Sequence, residues 1–287
     1  MSRGTIVRAM SPVGIYWSET SHFQNAAYVN AGDLIFTICH FDEDHQPNDF
    51  YTDFDDPRAE ELRLCAALSL PLGYDAGLML PFPLHASLEF RQQCVLDDAG
   101  ILELETKLRV SLMDILDAER RGVIPPLPEY VGGPSYELRA DPVPFDLQRQ
   151  IYSAIDLKDH LVVRGLGAYL RSQMLINGTT FRAEGLYTLF VSLDATFALT
   201  LRHLKTSGNN NPTAADAQAF IEDAFGDAPS GMRYFEEFYE DRIKALHPES
   251  RFGTFPYPPL SISEGYQLSK ALRDVWRYLI TGSTIGA

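Results

Sequence analysis

Arg242 and His247, separated by Ile243-Lys244-Ala245-Leu246, join a permanently charged guanidinium to a side chain that exchanges protons near neutral pH. Brought together, the two can grip a phosphate in forked geometry and pass a proton to or from an oxygen beside it. The spacing alone carries little. With 19 arginines, 7 histidines and three allowed spacings in 287 residues, about 1.4 such pairs arise by chance. Context promotes this one. Met232, Phe235, Tyr239, Ile243 and Leu246 mark one helical face, so Arg242 stands late on a helix. Pro248 pushes His247 out of the helical region and ends that helix near Leu246. In an uninterrupted helix, residues five apart point about 140° away from each other. Leaving the helix at His247 frees the imidazole to swing back toward the guanidinium. Arg251 follows in the same loop, ahead of Gly253, Pro256, Pro258 and Pro259, which forbid helix until about Ser263.

A second group of chemistry-bearing residues is His40, Asp42, Glu43, Asp44, His45, Asp49, Asp53, Asp55 and Asp56, with no Lys or Arg among them. Carboxylates and neutral imidazoles suit a divalent ion, but the spacing fits no calcium loop and lacks its glycine. The cluster reads as a solvated acidic loop, and no metal or other cofactor is expected. Three cysteines at wide spacings, Cys39, Cys65 and Cys94, form neither a zinc pattern nor a disulfide framework. The sequence lacks G-x-x-x-x-G-K-[ST], G-x-G-x-x-G after a strand, H-E-x-x-H and G-x-S-x-G. Tyr234, Phe235, Phe238, Tyr239, Phe252, Phe255 and Tyr257 surround the Arg/His pair and are read as core and loop packing rather than as stacking platforms for bases.

The elements that must position these residues differ between the two halves. Hydrophobic residues make up 45% and charged residues 22% of the chain, the mix of a folded globular protein. The net charge of −15 is unevenly spread: residues 1–144 carry 10 basic and 23 acidic side chains, net −13, and residues 145–287 carry 14 and 16, net −2. Bulk electrostatics argue against the first half as a nucleic-acid surface and suit it to a protein partner. That half reads as short strands: Thr5–Tyr16, Ala27–Cys39, Leu78–Leu84, and a hairpin of Leu88–Leu96 with Ile101–Val110 turning at Asp97-Asp98-Ala99-Gly100. A helix is expected from about Asp56 to Leu68. Residues 121–144 bunch prolines and glycines into a linker or crossing strap. Helical periodicity follows: Phe145–Ile176, Leu186–Leu204, a helix capped by Thr213, the face ending at Leu246, and a last helix marked by Leu268, Leu272, Val275 and Leu279. The expected fold class is α+β, with a mainly β acidic domain over 1–120, the linker over 121–144, and a helical bundle over 145–287. Arg3 and Arg8 are followed by Ser11, Pro12, Gly14 and Glu19 rather than by the apolar core of a secretory signal, so a cytoplasmic location is expected. Leu64–Leu84, the most membrane-like stretch, is broken by Asp75 and three prolines.

The C-terminal half resembles a HEPN domain, a helical bundle whose signature is an Arg, four to six variable residues and a His. Phe238 to Gly253, with Arg242 and His247, carries the resemblance. The helix Leu186–Leu204, with Leu193-Asp194-Ala195 at its middle, is similar to the family's helix bearing a central acidic residue. The position after the arginine is Ile243, where nuclease members usually have a polar residue. The resemblance implies a metal-independent endoribonuclease of toxin or anti-phage type that dimerises so that two Arg/His pairs share one cleft. On that reading His247 is the acid/base, Arg242 the phosphate clamp and Arg251 an auxiliary phosphate contact, with Asp194 or Asp241 orienting Arg242. The alternative is a catalytically silent HEPN-like dimerisation or assembly module with a β domain that reads a partner. A weaker third reading makes the acidic cluster a metal-dependent hydrolytic site.

Overall fold

A computed structural model describes residues 3–10, 14–42, 59–72, 87–122, 136–139, 141–177, 182–225, 234–235, 238 and 262–284. The architecture is α+β, an N-terminal antiparallel sheet followed by a helical region. The chain divides into two units, one of Met1–Ser69 with Ala76–Tyr152 and the other of Leu70–Asp75 with Ser153–Ala287.

In the first unit, β1 (Arg3–Ala9), β3 (Ser21–His22), β4 (Ala26–Asn30), β5 (Ile35–Asp42) and β6 (Ser87–Phe90) form one sheet in the order β3-β4-β5-β1-β6, each neighbour antiparallel. β2 (Gly14–Trp17) and β7 (Tyr136–Arg139) pair in parallel as a separate two-stranded sheet. The Thr5–Tyr16 run is thus shared between two sheets, and the proline-rich stretch supplies β7. The Ala27–Cys39 run turns back on itself at Gly32, whose φ of 85° favours glycine and whose N–H donates to the Asn30 side chain. The expected strand at Leu78–Leu84 lies outside the described residues.

Alternation sorts the two faces of the sheet. Val7, Ala9, Ala27, Val29, Phe36 and Ile38 point to one side and are covered by Ile101, Leu104 and Leu108 of α2 (Asp98–Arg120). The other side carries α1 (Ala59–Ser69), which packs against β4 and β5. On that side Arg8 is buried. Its guanidinium donates to both carboxylate oxygens of Glu61 on α1, at 2.7 and 3.2 Å. Burial works against the Arg8 charge, and the facing Glu61 carboxylate overcomes it and holds Arg8 protonated. Burial, reinforced by Glu61, pushes the Cys65 thiol up to about 12.

The hairpin expected over Leu88–Val110 is corrected by α2. Its first half contains β6, but Asp98–Arg120 is helical, and the Asp97-Asp98-Ala99-Gly100 turn is that helix's start. Asp97 is the cap: its side chain accepts from the Gly100 N–H at 2.8 Å, and its carbonyl accepts from the Ile101 N–H at 2.8 Å. Lys107 bonds Glu103 and Arg109 bonds Glu105, both four residues apart, as helix pairs do. Leu102, Leu104, Leu108 and Val110 alternate with polar neighbours as a strand would, but Leu102 and Val110 are exposed, and the buried residues Ile101, Leu104 and Leu108 step at helical spacing.

In the second unit, α4 (His160–Asn177) and α5 (Arg182–Thr206) are antiparallel neighbours. Gly185, early on α5, abuts Ile176 at the end of α4, and Arg202, late on α5, bonds Asp159 just ahead of α4. Gly208, with φ of 104°, stops α5. α3 (Phe145–Ala154) precedes the pair and falls almost wholly in the first unit, so Phe145–Ile176 is two helices. Thr213 caps α6 (Ala214–Phe225) through a reciprocal exchange with Asp216. α7 (Ile262–Thr281) lies on α4 and α5, its Gly265 against Leu186 and its Trp276 ring against Gly165 and Ala195. A methyl group on Gly165 would lie 2.3 Å from that ring, so the glycine is what admits the tryptophan. Among the described residues no helix is long and apolar enough to cross a membrane.

Candidate functional site

Arg242, His247, Arg251 and Asp241 lie outside the described residues. Asp194 does not: it is half-buried at the middle of α5, between buried Leu193 and Ala195. The neighbouring turn of α5 receives the chain that leads toward Arg242. Tyr234, Phe235 and Phe238 are helical and buried. The Thr196 hydroxyl donates to the Leu193 carbonyl at 2.8 Å, which makes the Tyr234 phenol, 3.1 Å away, the donor to Thr196. Burial raises the Tyr234 pKa, so that donor stays protonated. Phe235 meets Phe197 edge-on, ring centroids 5.1 Å apart, and its N–H donates to the Gln218 side chain on α6 at 2.8 Å. These three aromatics are core, as the sequence reading had it, and are closed to bases. Tyr239, Phe252, Phe255 and Tyr257 lie outside the described residues.

A polar layer where α7 meets α4 and α5 had no sequence signal assigned to it. Gln173 donates to Ser269 at 2.6 Å, and Trp276 donates from its indole to Ser192 at 2.8 Å. Burial lifts the Tyr169 phenol to about 12, against the pull of nearby Arg273. Arg273, Asp274 and Arg277 are all buried on α7. Arg277 sits 3.1 Å from the Asp274 carboxylate and donates to the Leu70 carbonyl at 3.2 Å. The available hint is that Arg273 and Arg277 share one side of a helix, four apart, beside Leu272 and Trp276.

Two other regions bear on the chemistry. A surface depression of about 500 Å³ at the end of α5 is lined by Arg202, Lys205, Asn210 and Asn211. Asp159 ties up Arg202, and the negative end of α5 opposes an anion there, so the depression is a poor phosphate site. In the acidic cluster, Asp42 pairs with Arg3 at 3.2 Å across the β1–β5 register. His40 Nε2 lies 2.9 Å from the Cys94 carbonyl and must donate to it, so that nitrogen is closed to a metal. Among the described residues no group of three or more metal-ligating side chains is gathered, and 43–56 lie outside them.

No known protein family, curated protein or solved structure matches the chain.

Proposed function

We propose that the helical unit is a HEPN-like module acting on RNA, a metal-independent endoribonuclease working as a homodimer in a toxin or anti-phage role. The observation that carries this reading is the packing of Tyr234 against Thr196 and of Phe235 against Phe197 on α5. Phe197 stands one turn from Asp194 on α5, and the sequence reaches Arg242 seven residues after Phe235, which supports Asp194 as a candidate orienting residue. In the reaction, the RNA's 2′-hydroxyl oxygen attacks the adjacent phosphorus and the bond to the 5′-oxygen breaks. His247 of one chain takes the 2′ proton, and the second histidine of the shared cleft returns one to the departing 5′-oxygen. The products are a 2′,3′-cyclic phosphate and a 5′-hydroxyl. Arg242 holds the charge that develops on the phosphate, helped by Arg251, with Asp194 or Asp241 as its orienting carboxylate.

One feature favours the alternative, a silent dimerisation or assembly module: Ile243 stands where a polar residue follows the arginine in nucleases. Incubating the protein with mixed RNA in EDTA decides between them. Cleavage that survives chelation and falls about 10²–10⁴-fold in both Arg242→Ala and His247→Ala supports the nuclease. An intact dimer that cleaves nothing under any condition assigns the silent module. Activity that needs added metal and ignores both substitutions overturns both and returns attention to the acidic cluster.

A further inference from the structure

We infer that the outer face of α2 is an antiparallel pairing surface for α2 of a second copy of this chain. The inference concerns the first unit and holds whether or not the RNA chemistry proposed for the second is correct.

α2 has two apolar faces. Ile101, Leu104 and Leu108 pack on the sheet. On the far side Leu102, Thr106, Val110 and Met113 step by four, four and three, which makes a second stripe along the helix. Leu102, Val110 and Met113 are 62%, 59% and 56% exposed, so the fold leaves them in water. Thr106 adds its methyl group, because its hydroxyl donates to the Leu102 carbonyl at 2.9 Å and is turned back onto the helix. An apolar row of this kind on a helix already packed by its other face marks a contact surface.

Charge selects the occupant and its direction. The stripe begins at an acid and ends at bases: Asp98 is exposed in the first turn of α2, Arg120 is exposed in the last, and Arg121 follows. The cations between them are engaged, Lys107 with Glu103 and Arg109 with Glu105 and Asp33. Arg120 lies 3.6 Å from Asp117 with 73% of its side chain exposed, a screened pair that can exchange partners at little cost.

Two such helices laid antiparallel complement each other. With the twofold axis between Lys107 and Leu108, Leu102 of each copy faces Met113 of the other, and Thr106 comes within a residue of Val110. The same axis brings Asp98 within one turn of Arg120 of the other copy, a gap that an arginine side chain spans. A parallel pair would set Asp98 against Asp98 and Arg120 against Arg120, and opposed helix dipoles also favour the antiparallel sense. Repulsion between the two acidic units is screened beyond about 8 Å at physiological ionic strength, so the groups at the stripe decide. The face is narrower than a permanent interface, and the association is reversible.

Sedimentation velocity of the full-length protein over a dilution series tests this. The wild type is expected to double its mass as concentration rises. Val110→Asp, at an exposed position, weakens that step by about tenfold or more, the cost of a carboxylate in an apolar contact. Asp98→Lys and Arg120→Glu each weaken it, and the two together restore it, because only an antiparallel pair lets the exchanged charges meet again. Tyr266→Asp in the second unit leaves the step unchanged, and circular dichroism of each variant checks that α2 stays folded. If the second unit also self-associates, the α2 changes remove one doubling and leave the other. A wild type that stays monomeric, a doubling indifferent to Val110→Asp, or a double exchange no better than its parents overturns the proposal.

Discussion

In the first unit a buried arginine finds its carboxylate across the fold, since Arg8 on β1 and Glu61 on α1 are 53 residues apart and meet through two hydrogen bonds. In the second unit, among the described residues, Arg273 and Arg277 meet Asp274 on their own helix, α7, with a main-chain carbonyl, Leu70, as a further acceptor for Arg277. The two arrangements make different demands. A cross-fold pair exists only once strand and helix have docked, so it reports on that docking and suffers fully when one partner is lost. A cluster on one helix is assembled by helix formation and is then desolvated by packing, and its partial neutral partners soften the loss of any one group.

Breaking the cross-fold pair has the largest expected effect. Glu61→Ala takes the facing carboxylate from the buried Arg8 guanidinium and is expected to cost about 3–5 kcal/mol in urea denaturation. The double change Arg8→Met with Glu61→Leu recovers most of that loss; if it does not, the pair's role is more than mutual neutralisation. Asp274→Asn tests the local cluster and is expected to cost about 1–3 kcal/mol, because Arg277 keeps the Leu70 carbonyl. A cost equal to that of Glu61→Ala would erase the distinction between the two regions. Asp97→Ala, which removes the cap that makes α2 a helix, costs about 1 kcal/mol and lowers helical circular dichroism.

The smallest effect belongs to the exposed pair of the second unit. Hydrogen bonds from Arg202 hold the Asp159 carboxyl below its usual range. A depressed folded-state pKa contributes stability that is complete above the unfolded value near about 3.9 and is lost as pH falls through the folded value. Arg202 is half exposed, so solvent screens the pair. Arg202→Gln is expected to cost less than about 1 kcal/mol at pH 7, and the variant and native unfolding curves converge in acid. A difference that persists at low pH would remove the carboxylate from the explanation.

The elements of the second unit were largely legible because each carries its own local signals. The stripe through Leu186, Phe190 and Leu193 became α5, Ser207-Gly208 ended it, and Thr213 capped α6. Asp194 was legible as the acidic residue at the middle of that helix. α2 was misread because an N-cap and a hairpin turn use the same residues, here Asp97, Asp98 and Gly100, and because apolar residues lie on both sides of the helix. The i,i+4 pairs Glu103/Lys107 and Glu105/Arg109 were the signal that favoured helix. Buried Arg8, Arg273 and Arg277 were not legible, since burial of an arginine depends on a partner that sequence spacing does not reveal.

What the sequence by itself determined is the α+β division, α5 and α6 with their end signals, the acidic bias of residues 1–144, and the Arg242…His247 spacing on which the RNA reading rests. These follow from interactions within a few residues or from summed charge. Only the tertiary structure decided which face of α2 meets the sheet, which apolar stripe stays outside, and which arginines are taken from water. Those outcomes depend on groups that meet only when elements distant in the chain pack together.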